Sequence, residues 1–179
     1  VKKGDVEHVL RAAAAITGER VFVAVGSQAA LVQHRTLPAE MVQSAELDLY
    51  PRDAPHLADL VDGSIGEGSP FHGTFGYSAQ GVGPETAKLP AGWEERAYRL
   101  SNPATDGAVL VAPELHDIRA SKLVAGRAED LGSVEAAMAA GLDDRATLQQ
   151  RLRSVQADAT TISLALDRVD GLAPGRAAT

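Results

Sequence analysis

The chain has 179 residues, 45% of them hydrophobic and 23% charged, enough for one good core or for a domain with a small helical appendage. It has no cysteine, which excludes disulfides and thiolate metal sites, and no apolar run near the ~20 residues that span a bilayer, so a soluble, cytoplasmic setting without membrane contact is expected. The formal net charge of −7 argues against broad nonspecific nucleic-acid binding, and the groups Arg119, Lys122, Arg127 and Arg145, Arg151, Arg153 read first as solvated helix faces.

Asp5 to Thr17 predicts a helix, because Val6, Val9, Leu10, Ala13 and Ile16 recur at helical spacing and Gly18 suits the stop. Val21 to Val25 is short and β-branched and predicts a buried strand. It ends in Gly26-Ser27, and Gln28 to His34 has helical composition. Ser44 to Tyr50 alternates: Ala45, Leu47 and Leu49 point one way, Glu46, Asp48 and Tyr50 the other. Asp53 to Val61 predicts a second helix. From Asp62 to Gly92 the chain is glycine-rich, and short irregular strands with a loop over the site are expected. Glu95–Leu100 and Ala108–Ala112 predict two more strands. A helical C-terminal third begins at Pro113, with helices at Val134–Ala140, Thr147–Ala157 and Thr160–Arg168, before a disordered tail from Gly171 to Thr179.

The chemistry sits at the two strand ends. Residues two apart on a strand share a face, so Glu46 and Asp48 can reach one divalent cation, Mg²⁺ or Mn²⁺, of the kind that clamps a triphosphate. The plainer alternative is the exposed acidic side of a half-buried strand. A glycine after a buried strand lets backbone approach a phosphate, and the helix start beyond it offers free N–H groups, with the Ser27 hydroxyl beside them. Its plainer alternative is a turn with Ser27 as N-cap. Ser69 and His72 could touch substrate from the glycine-rich segment, or serve turn chemistry and packing. His34 and His116 have no partner at metal-ligand spacing and read as structural, and Trp93 reads as a packing anchor.

Apolar strand, Gly-Ser, helix, then acid-apolar-acid resembles the polymerase-β-like nucleotidyltransferase superfamily. Three later segments narrow the resemblance: Asp62-Gly63-Ser64-Ile65-Gly66-Glu67-Gly68-Ser69-Pro70-Phe71-His72, Leu89-Pro90-Ala91-Gly92-Trp93-Glu94-Glu95-Arg96, and Leu115 through Arg127 with Asp130-Leu131. They look like an uncharacterised bacterial nucleotidyltransferase family (DUF6036-like) related to AbiEii-type toxins of toxin–antitoxin systems. The resemblance implies an α/β (α+β) fold, with a nucleotidyltransferase core over residues 1–112 and a helical region over 113–170. It implies transfer of a nucleoside monophosphate from an NTP to an acceptor such as tRNA or protein, and a cognate antitoxin as partner. In its terms Gly26 and Ser27 cradle phosphate, and Glu46 and Asp48 hold metal. Lys122 contacts the triphosphate, and Asp130 is a catalytic or structural acid. On a continuous helix Lys122 and Asp130 would share a face two turns apart, flanked by Arg119 and Arg127. The chain departs from the pattern at Glu46, where many relatives carry Asp. It also lacks a securely placed third acid, for which Glu95, Asp117 and Asp130 are candidates. A nucleotide- or partner-binding module without turnover is therefore the alternative.

Overall fold

A computed structural model describes residues 1–34, 37, 41 and 44–172, so residues 173–179 of the expected tail lie outside the described part. The first helix, α1 (Lys3–Thr17), buries the Val6, Val9, Leu10, Ala13 and Ala14 stripe and stops at Gly18, whose φ of 77° lets its N–H close back on Ala14 O. The strands β1 (Val21–Ala24), β2 (Glu46–Pro51), β3 (Ser78–Gly81), β4 (Tyr98–Leu100) and β5 (Val109–Ala112) form one mixed five-stranded sheet in the order β3-β2-β1-β5-β4. The fold is therefore α/β (α+β), as expected.

Period-two alternation divides the sheet into two faces. Phe22, Ala24, Leu47, Leu49, Leu110 and Ala112 join α1 in the main core. Val23, Val25, Tyr50 and Val111 form a smaller apolar cluster on the opposite face. Asp48 is two residues from Tyr50 and belongs to that second face. The antiparallel register pairs Val23 with Tyr50 and Ala24 with Leu49, and Val25 N–H donates to Asp48 O at 2.9 Å. The end of β1 is thereby laid against the start of β2.

After the sheet come α5 (Leu115–Ala125), α6 (Ala128–Ala139), α7 (Arg145–Leu152) and α8 (Ala159–Gly171). Leu115 and Ile118 of α5 pack into the sheet core, while Ala120, Leu123 and Val124 join Leu148, Leu152, Ala165 and Val169 in a second, helical core. One helix thus ties the two cores together.

Several expectations need correction. The glycine-rich stretch is more helical than its composition suggests. The second helix, α2 (Ala58–Ile65), starts later than expected and runs on past Val61, and Pro70–Phe75 forms α3. Pro70 at the first turn, the Ser69 cap and Gly76 at φ 75° punctuate this short helix more strongly than glycine content argues against it. The predicted strand from Glu95 is helix α4 (Trp93–Arg96) followed by β4. Gln28–His34 forms a 3₁₀ turn over Ser27–Val32 instead of a full helix. Gly171 closes α8 and Leu172 is buried, so order extends two residues into the expected tail. The arginine faces also differ: Arg119 is fully buried, and Arg151 is ion-paired to the buried Asp117.

Candidate active site

The end of β1, the start of β2, the loop after β3 and helices α5 and α6 enclose one cleft. Its floor is Val25, Gly26 and Asp48. One wall is Thr86, Ala87 and Leu89, and the other is Ile118, Ser121, Lys122 and Ala125, with Arg127 and Asp130 beyond. Gly26 is required there for two reasons. Its φ of 70° lies in the left-handed region, and a Cβ at this position would fall on the Asp48 carboxylate. Backbone and carboxylate can touch only because the residue has no side chain.

Burial, and then the neighbouring Glu46 carboxylate, push the Asp48 carboxyl up to about 6, while Lys122 and Arg127 pull it the other way. Among the described residues no cation forms an ion pair with Asp48. Lys122 instead donates to Asp130 Oδ1 at 2.6 Å, and Arg127 Nε donates to Asp130 Oδ2 at 2.8 Å. These residues do not meet along one continuous helix. Gly126, at φ 66°, ends α5 by donating to Lys122 O, and α6 turns back. Two turns of straight helix would separate the side chains by roughly 12 Å; the break brings them into contact.

The remaining predicted residues are arranged differently. Glu46 lies just outside the cleft wall on the same strand face as Asp48, and Ser27 begins the 3₁₀ turn after Gly26. Ser69 caps α3 by accepting from His72 N–H at 3.2 Å, and His72 Nδ1 accepts from Gly68 N–H at 3.1 Å, so both serve the turn. Arg119 points into the helical core, beside Ser133 and Asp143. Of the candidate third acids, Glu95 is exposed on α4, and Asp117 accepts two bonds from Arg96 and an ion pair from Arg151. Asp130 alone of the three lines the cleft. Among the described residues no group of three or more His, Asp or Glu is placed to hold a metal ion. His116 bridges Glu114 and the backbone of Asp144, a structural role.

Sequence reading missed the contributions of Thr86, Ser121 and Gln33. Gln33 accepts from Leu115 N–H at 3.0 Å and donates to Pro113 O at 2.7 Å, fastening the turn after Gly26 to the start of α5. Nothing local marks a glutamine 82 residues away as a helix cap.

A family model described as "Nucleotidyltransferase of unknown function (DUF6036)" matches residues 5–167. No curated protein and no solved structure matches the chain.

Proposed function

The chain belongs to this family of nucleotidyltransferases of unknown function, and from that premise we propose that it transfers a nucleoside monophosphate from an NTP to an acceptor hydroxyl with the help of a divalent cation. The observation that carries this reading is the convergence of Gly26, Asp48, Lys122, Arg127 and Asp130 on one cleft. They come from three separate stretches of chain.

The donor set suits a hard cation. Asp48 is a half-buried carboxylate, next to a second acid, with no ion-pair partner among the described residues. A divalent ion relieves that repulsion directly. Glu46 and Asp48 would hold it. Bound Mg²⁺ or Mn²⁺ supplies charge neutralisation of the triphosphate and a lowered pKa for the attacking hydroxyl. Gly26 lets a phosphate approach the backbone, and Lys122 and Arg127 neutralise charge on the departing pyrophosphate. A second reading, nucleotide binding without turnover, is favoured because among the described residues no third carboxylate joins Glu46 and Asp48 in a metal-holding group.

Titration of the purified chain with the four NTPs, with and without Mg²⁺, tests the proposal beside Asp48→Ala. Metal-dependent binding that weakens about a hundredfold in the variant is expected. No binding of any NTP under either condition would sink both readings. Binding with no pyrophosphate release across an acceptor screen would select the second.

A further inference from the structure

Asp130 sits where an anion belongs. Both of its oxygens are occupied by the cleft's two cations, Lys122 at 2.6 Å and Arg127 at 2.8 Å. Its side chain is 3% exposed, against 13% for Lys122 and 66% for Arg127. The carboxylate is fixed from behind by the first turn of α6, where the helix dipole favours negative charge. The free space in the cleft is about 70 Å³. That is room for a few waters.

The cleft carries no excess positive charge. Asp48 and Asp130 face Lys122 and Arg127, two carboxylates against two cations, and Glu46 beside Asp48 adds a further negative charge. A phosphate arriving here meets no excess positive charge and finds both cations already bonded.

We infer that Asp130 is a positioning residue that holds Lys122 and Arg127 in place and competes with the incoming phosphate chain for them. It acts as an internal stand-in for phosphate and sets how tightly the cleft takes a polyphosphate anion. This rests on the nucleotide reading only in taking Lys122 and Arg127 as the phosphate-facing cations. A purely structural role for Asp130 predicts that its removal weakens anion binding or leaves it unchanged. Competition predicts the opposite, because Asp130→Asn removes one negative charge from the cleft and releases Lys122 and Arg127 from their shared carboxylate.

The test is calorimetric titration of the full chain with inorganic tripolyphosphate, metal-free and at low salt. Asp130→Asn is expected to bind about tenfold tighter than the wild type, and Asp130→Glu, which keeps the charge, to stay near it. Unchanged or weaker binding by a folded Asp130→Asn overturns the inference, as does no binding by any of the three proteins. Should Asp130→Asn not fold, the wild type decides. Its Arg127 Nε–H resonance, assigned with Arg127→Lys, must move when tripolyphosphate saturates the cleft, and an unmoved resonance overturns the inference. The probe carries no nucleoside and no metal, so the two readings fail separately. Tightened tripolyphosphate binding with no NTP binding keeps the competition and sinks the transferase. Metal-dependent NTP turnover with weakened binding in Asp130→Asn does the reverse.

Discussion

Asp48 and Asp117 are both carboxylates drawn out of bulk water, and their surroundings give them opposite characters. Asp117 lies on α5 with no exposure and accepts Arg96 through both oxygens at 3.0 Å, with Arg151 at 3.1 Å from a third element. Asp48 has no ion-pair partner among the described residues, and burial with Glu46 beside it pushes its carboxyl up to about 6. The saturated acid joins α4, α5 and α7. The unsaturated one stays electrostatically strained and open to a cation. What separates a structural acid from a candidate ligand here is how completely its neighbours satisfy it: the fully buried Asp117 is paired on both oxygens, while the half-buried Asp48 has no ion-pair partner among the described residues.

The sharpest way to break this contrast is to remove the saturated acid. Asp117→Ala leaves Arg96 and Arg151 without their shared partner and should cost about 3 kcal/mol, a fall of roughly 10 °C in midpoint for a chain of this size. Calorimetric unfolding checks it, and a wild-type midpoint would mean that the three-way contact contributes little. Asp48→Asn should act in the other direction. The folded-state pKa lies above the unfolded value of 3.8, so the folded state binds the proton more tightly. Ionisation of Asp48 therefore lowers stability as pH rises from about 4 through 6, and the loss persists above that. The variant should gain about 1–2 kcal/mol over the wild type at pH 7.5, after a discount for partial solvent screening, and nothing below pH 4. Urea melts at the two pH values measure this, and equal stability of the two proteins at pH 7.5 would remove the strain argument. The smallest effect is expected outside both regions. Ser69→Ala removes the cap of α3 and should cost no more than about 1 kcal/mol while leaving NTP affinity untouched. A drop in affinity with that variant would return Ser69 to the list of substrate contacts.

Local pattern made a good part of the site visible. The apolar run of β1 and its Gly26 end, and the alternation that puts Glu46 and Asp48 on one face of β2, follow from period and composition alone. Lys122 and Asp130 came from the family resemblance. The geometry first expected for them, one continuous helix, was overridden by Gly126. Helix α3 was hidden because six residues span less than two turns and show no usable periodicity. The arginines misled for a different reason. A sequence shows charge but not its partner, and Arg96, Asp117 and Arg151 are brought together only by the packing of α4, α5 and α7.

By itself, then, the sequence determined β1, β2 and β5, the face on which Glu46 and Asp48 stand, and the glycine that must follow β1. These are set by backbone sterics and by hydrophobic alternation, which act over a few residues. Tertiary structure alone decided that the antiparallel register lays Gly26 against Asp48 and that α6 folds back to put Asp130 on Lys122 and Arg127. It also decided that Asp117 is neutralised while Asp48 is not. Those outcomes depend on which charges meet across long stretches of chain, and the electrostatic cost of a buried carboxylate is fixed only once its neighbours are in place.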